Sequence, residues 1–377
     1  MDLPQPSAAA DGPLPGAWSS HGPLSQGSQD APSPMSPMSP MSLPVHVVTD
    51  ASQLPPELLH PPAPPAPPLV IGFDCEGIDL ARHGQLCVMQ LALPCAIYLV
   101  DVVAGGRQLV EECKGALESP RVVKAIHDCK RDGEALYFQF GVRLQGIFDT
   151  QLAHALIEEA RGSADVQSDQ ISFVQLASMP QYCGVAYDEK EEVRQLMRQD
   201  PAFWEHRPWT PVMLRAAADD VRFLPTIHRR MHALLSAGPN GPTRLRQLAV
   251  QSELHARCFC LGAHEWPAPV PWADDGLQGG QLVENGGSAD MVSSSSATSE
   301  ESSGGPVEEI LSVVDVPQGL MGLVIGRRGM TIRSIKESCR AHIVLGGQKG
   351  PPDKVFIIGP VKEVRKAEAI IRGKVAR

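Results

Sequence analysis

Asp74 and Glu76 are separated by one residue at the end of the apolar run from Leu69 to Asp74. Side chains repeat every two residues on a strand, so both carboxylates project to one face and can share a cation. Gly72 and Phe73 precede the pair and Gly77 follows it, where an apolar strand gives way to a loop. Strand ends of this kind commonly carry the site residues of sheets flanked by helices. Two more acid-bearing segments follow. His127-Asp128-Cys129-Lys130-Arg131-Asp132 sets a strand end before a helix start and leads to Phe148-Asp149-Thr150, and Ala216-Ala217-Ala218-Asp219-Asp220-Val221 lies in a helical stretch. The opposite charge is concentrated in Gly326-Arg327-Arg328-Gly329, where glycines let the backbone approach a phosphate and arginines supply the counter-charge.

Recognisable elements must hold these residues. Val45 to Leu59 reads as a strand and a short helix. Leu69 to Asp74, Gln85 to Ala92 and Ala96 to Val102 run apolar or alternate over strand lengths between turns containing Gly or Pro. Arg107 to Leu117 reads as a helix, Val122 to His127 as a strand and Lys130 to Phe140 as a helix, with mostly helical sequence to about Leu235. The order predicts an α/β fold, a mixed sheet with helices on its faces. The C-terminal block predicts a small α+β unit. Its strands are Ile310 to Val316, Ala341 to Leu345 and Lys354 to Ile358, and its helices are Gly319 to Val324, Thr331 to Arg340 and Val361 to Arg372.

Composition sets the boundaries. Of the 35 prolines in 377 residues, 18 fall within residues 1–68, together with the repeat Met35-Ser36-Pro37-Met38-Ser39-Pro40. Residues 1–45 therefore read as a disordered Pro/Ser/Met-rich tail able to recruit a protein partner, because such sequence buries too little apolar surface to offset chain entropy. Pro61 to Pro68 reads as polyproline II leading into the first long strand. Residues 273–305, rich in Gly, Ser and acids and without Lys or Arg, read as a flexible linker. Two folded blocks remain, 46–272 with net charge −7 and 306–377 with net charge +6, so an overall charge of −10 conceals a basic module suited to nucleic acid. Nine cysteines form no even framework and predict reduced thiols. The longest apolar run, Leu86 to Val103, is broken by Gln90 and Pro94, which excludes a membrane span there. The N-terminus lacks signal-peptide regions, and no Lys or Arg precedes Arg82, so the expected location is cytoplasm or nucleus and not the secretory route.

Asp74-x-Glu76, His127-x-x-x-x-Asp132 with Phe148-Asp149-Thr150, and the alanine-rich Asp220-Val221 segment resemble, in order and spacing over about 180 residues, the DEDD 3′→5′ exonucleases related to ribonuclease D. The resemblance implies an RNase H-like sheet and two divalent ions, Mg2+ or Mn2+, held by Asp74, Glu76, Asp132 and Asp220, which then serve as the catalytic and metal-binding set. It implies hydrolysis of the terminal phosphodiester to a nucleoside 5′-monophosphate. The family places Tyr four residues, or His five residues, before the last Asp. Here those positions hold Ala216 and Arg215, neither of which orients or deprotonates water. Ile325-Gly326-x-x-Gly329-x-x-Ile332-x-x-Ile335 resembles the KH signature, which implies a type I KH domain over 306–377 binding single-stranded RNA through Gly326, Arg327, Arg328 and Gly329. The combination resembles plant-type KH-containing exonucleases and, more distantly, Egalitarian-like proteins. It predicts an exonuclease acting on nucleic acid, RNA in preference to DNA, with the KH unit raising the concentration of the 3′ end across the linker. The alternative is an RNA-binding adaptor that keeps the exonuclease fold without turnover.

Other signals read as structural. His255, Cys258, Cys260 and His264 could be spaced as zinc ligands, but Cys-x-Cys is not the usual C-x2-C knuckle, so buried thiols are expected. Asp101 and Asp128 read as surface acids, and Asp149 as a neighbour of the site and not a ligand.

Overall fold

The computed structural model describes residues 43–162, 171–185, 189–260, 308–347 and 350–376. Most of the expected tail and the whole expected linker lie outside the described residues. The first block is built from β1 (Val45–Val48), α1 (Pro56–Leu59), β2 (Leu69–Ile78), β3 (Gln85–Ala92), β4 (Ile97–Asp101), α2 (Val102–Leu117), β5 (Val122–Ile126), α3 (Lys130–Phe140), β6 (Ile147–Asp149) and α4 (Thr150–Ala160). The helices α5 (Phe173–Ser178), α6 (Glu189–Gln199), α7 (Pro211–Arg222), α8 (Leu224–Ser236) and α9 (Gly241–Arg257) follow. Six strands form one sheet in the order β1-β4-β3-β2-β5-β6. The hairpin pairs β2–β3 and β3–β4 are antiparallel, whereas β1–β4, β2–β5 and β5–β6 are parallel, so the sheet is mixed as expected.

Alternation along the strands gives the sheet two dry faces. Ile71, Phe73 and Cys75 of β2 pack with Met89, Leu91, Val110 and Leu136 beneath α2 and α3. Val88, Ala92, Val123 and Ala125 pack on the other side with Leu152, Ala217, Val221 and Leu224 beneath α4, α7 and α8. The carboxylate-bearing strand therefore lies at the centre of a helix–sheet–helix sandwich. It also runs further than its apolar run indicates, to Ile78, because Gly77 and Ile78 keep pairing with β3 after a register shift between Glu76 and Gly77. Pro61 to Pro68 is not continuous polyproline II: a turn closed by the Ala66 N–H on the Ala63 carbonyl interrupts it, whereas polyproline II has no internal hydrogen bonds.

The second block comprises β7 (Glu309–Asp315), α10 (Met321–Ile325), α11 (Met330–Ser338), β8 (His342–Gly347), β9 (Gly350–Pro360) and α12 (Val361–Val375), with an antiparallel sheet ordered β7-β9-β8. Val355 and Ile357 of β9 face the unit's own helices, packing with Val324, Ile335 and Val364. Phe356 and Ile358 face the opposite way and join Leu254, Cys258 and Phe259 at the end of α9. The rings of Phe259 and Phe356 meet edge to face at 5.1 Å. The module expected to hang from a tether is instead docked by the back of its sheet onto α9. Its other anchor residues place α9 in the first block as well, since Leu248 packs in one core and Ala256 in the other. All nine cysteines are free thiols. Among the described residues, no helix is long and apolar enough to cross a membrane.

Candidate functional site

The site is assembled by one strand and two helices on opposite faces of the sheet. Asp74 and Glu76 project from β2 just before the irregularity at Glu76/Gly77, the kind of bulge that re-aims side chains beside functional sites. Asp220, 4% exposed, reaches them from α7. Ligand atoms of Asp74, Glu76 and Asp220 all lie within 4.8 Å of one another. Their approach depends on Gly72: a Cβ there would stand 2.5 Å from the Val221 carbonyl, so only glycine lets α7 lie this close to β2.

The start of α7 is fixed from the neighbouring strand end. Thr210 caps the helix by accepting the Met213 N–H, and Pro211 fills its first turn. Asp101, expected at the surface, is 1% exposed. It accepts Arg207 Nε and Nη2 at 2.5 and 2.6 Å, Trp209 Nε1 at 2.9 Å and the Ala104 N–H at 3.0 Å. These hydrogen bonds hold the Asp101 carboxyl below the usual carboxylate range despite burial. The sequence signal for this role was the Arg207-Pro208-Trp209 segment, in which Arg207 and Trp209 both donate to this one carboxylate.

Asp132 comes from the first turn of α3 and is 4% exposed. It falls outside the trio's tight grouping, yet burial first and then the charges of Asp74 and Glu76 push its carboxyl well above the carboxylate range, and the Cys75 thiol hydrogen-bonds to it. Burial and the Asp132 charge likewise push the Cys75 thiol upward. Asp149 sets the turn that leads into α3. Its carboxylate accepts the N–H groups of Asp128 and Cys129, both at 3.1 Å, and that of Gln151 at 2.9 Å, capping α4 at the same time. Asp128 needs that support, since it sits at φ 66°. It is half-exposed and paired with Lys130. Asp149 is anchored in turn by its own N–H donating to Ser252 Oγ of α9 at 3.2 Å. The Phe148-Asp149-Thr150 motif thus fixes the turn that leads to Asp132.

The three grouped carboxylates offer oxygen donors close enough together to share a divalent cation, with the Asp132 carboxyl near enough to respond to the charges of Asp74 and Glu76. Near the last Asp, Arg215 is exposed and Ala216 packs against the core. Asp219 is held by Arg222 at 2.6 Å. His127 has both ring nitrogens engaged, Nδ1 with Thr150 Oγ1 and Nε2 with the Ile171 carbonyl, each at 2.9 Å. Neither Ala216 nor Arg215, four and five residues before Asp220, has a side chain that accepts a proton from water.

In the second block the four-residue loop is shaped by its backbone. Gly326 and Gly329 adopt φ 73° and 74°, and a Cβ on Gly326 would lie 2.0 Å from Thr331 Oγ1. Arg327 and Arg328 are exposed, and Met330 beside them is 69% exposed. Ile332 and Ile335 turn to the core as expected from their spacing. The zinc-like spacing resolves into packing: His255 and Cys258 are buried, Cys260 donates to the Gly133 carbonyl with its thiol pushed up by burial to about 12, and His264 lies outside the described residues.

Comparison with known proteins agrees with this geometry. A family described as 3′-5′ exonuclease matches residues 48–236, half of the chain, and the KH domain family matches 311–373. The chain is 32% identical over 163 residues to the human piRNA biogenesis protein EXD1, covering 41% of this chain and 30% of that protein. It is 26% identical over 232 residues to the Egalitarian protein homolog of Caenorhabditis elegans, covering 58% of this chain and 38% of the relative. The chain thus spans well under half the length of these relatives. Among solved structures, Trypanosoma brucei RNase D in complex with RNA U12 aligns with TM-score 0.48 at 21% identity, covering 62% of this chain and 78% of that one.

Proposed function

Because the chain belongs to the 3′-5′ exonuclease family and carries a KH domain behind that fold, we propose that it removes nucleotides from the 3′ end of single-stranded RNA. In this reading Asp74, Glu76, Asp132 and Asp220 hold two divalent ions, Mg2+ or Mn2+, and Gly326 to Gly329 grip the strand, in the cytoplasm or nucleus. The observation that carries it is the convergence of Asp74, Glu76 and Asp220 within 4.8 Å, with Asp132 close enough for its proton affinity to respond to them. Bound divalent ions would stabilise charge developing on the oxygens of the phosphodiester. The protein's own groups hold the geometry: Asp101 and Thr210 fix α7, Asp149 fixes the entry to α3, and Gly72 sets the approach between β2 and α7. Similarity to a protein named for piRNA biogenesis supports RNA as the polymer.

Ala216 favours a second reading, an adaptor that binds RNA without cutting it, because no side chain at that position orients water. Asp132→Asn separates the two readings. For an enzyme it abolishes turnover and leaves RNA affinity in EDTA unchanged by fluorescence anisotropy. Unchanged turnover overturns the proposed ligand set. Where water orientation limits the rate, Ala216→Tyr raises turnover roughly tenfold or more.

A further inference from the structure

Gln90 interrupts the apolar run of β3 and is 0% exposed, and neither Oε1 nor Nε2 of its amide has a hydrogen-bond partner among the described residues. Folded proteins rarely bury a polar group in this way, because its lost hydration goes uncompensated. An amide kept at such a position calls for a role that packing alone does not give it.

Its place in the sheet indicates the role. Gln90 stands directly opposite Asp74 in the β2–β3 register, and the next pair on that face is Glu76 with Val88. Residues so paired share a face, and their Cβ atoms lie about 4.5–5.5 Å apart, within reach of a glutamine side chain. Val88 and Ala92, two positions to either side, pack beneath α7, so Gln90 lies on the face that carries the carboxylates. The helix crosses over it. Asp101, paired with Val88, holds Arg207 and Trp209 just before α7, and the Val221 carbonyl near the far end of α7 lies against Gly72, paired with Ala92. Between those rows α7 supplies Ala216, Ala217 and Ala218, whose side chains offer an amide no partner.

We propose that Gln90 is a positioning residue for the carboxylate cluster: its Nε2 donates to the Asp74 carboxylate and holds it in the orientation that takes a divalent cation. This role rests on the reading that Asp74, Glu76, Asp132 and Asp220 bind such an ion. Carboxylates that ligate metals are themselves held by outer hydrogen-bonding partners. A neutral amide suits that place, since it steadies one acid without adding charge to the group.

The test is Mn2+ titration calorimetry on the full chain, with the melting temperature measured separately in EDTA. Gln90→Met keeps the length of the side chain and removes its donor and acceptor, and Gln90→Leu is a second apolar variant. Each is expected to raise the Mn2+ Kd about tenfold or more, the usual cost of losing an outer partner of a metal ligand. The melting temperature in EDTA holds or rises, because an apolar side chain carries no desolvated amide. A glutamine with a purely structural role gives the reverse pattern. An unchanged Kd or a lowered melting temperature in both variants therefore overturns the role of Gln90. Asp74→Ala with Glu76→Ala is the separate control: loss of Mn2+ binding supports the underlying reading. A native chain that binds no Mn2+, or a control that binds it as the native chain does, overturns that reading and not the role of Gln90 alone.

Discussion

The carboxylate cluster and the glycine loop both suit phosphate chemistry and are built in opposite ways. The cluster gathers like charges in half-buried and buried positions, on residues drawn from β2, α3 and α7, and its geometry depends on long-range packing. The loop exposes positive charge on two adjacent arginines between glycines, and its geometry depends on positive φ at Gly326, Arg328 and Gly329. The first needs a cation and a rigid frame, whereas the second brings its own charge and needs only local backbone freedom. Disturbing distant packing should therefore damage one and spare the other.

The largest expected effect comes from Gly72→Val. Its side chain meets the Val221 carbonyl, so α7 moves and Asp220 leaves the cluster. A displacement near 1 Å costs turnover on the order of 10²-fold. RNA affinity measured in EDTA stays unchanged, and an equal loss of affinity would break the comparison. Next is Asp101→Ala, which strands Arg207 and uncaps α2. Breaking a buried pair of this kind destabilises by about 3 kcal/mol, read as a lower denaturation midpoint, with the second domain's loop unaffected.

The smallest effect lies at the junction. Glu309 of β7 accepts from Gln251 and Gln247 of α9, and burial, with the Glu159 charge adding to it, pushes its carboxyl up to about 7. A carboxyl raised in the docked state favours docking fully below its ordinary value near 4.5 and loses that contribution as pH climbs through about 7. Limited proteolysis at the junction should therefore quicken between pH 5 and pH 8 in the native chain, and Glu309→Gln should flatten that dependence. A flat native profile would mean the docked sheet does not sense this group.

The same contrast explains what could be read from the sequence. Gly326 to Gly329 is contiguous, so its spacing with Ile332 and Ile335 announced both loop and packing face. Lys130–Phe140 and Gln85–Ala92 were legible to the residue because their periodicity and flanking turns agree. Asp101 was misread because its partners Arg207 and Trp209 are more than a hundred positions away and nothing local marks burial. Docking of the second domain left a trace that composition alone obscured. Val355-Phe356-Ile357-Ile358 is apolar on both faces, and a strand of that kind must be covered twice. The charge of the linker suggested a tether, but the pattern of β9 called for a partner, which α9 provides.

The most direct test of the central claim is degradation of a 5′-labelled, 3′-extended single-stranded RNA with Mg2+ or Mn2+, by the native chain and by the Asp74→Ala, Glu76→Ala chain. The account predicts a metal-dependent ladder shortening from the 3′ end that disappears in the double variant. Binding through the glycine loop without any ladder would contradict it and leave the four carboxyls as the frame of an RNA-binding adaptor.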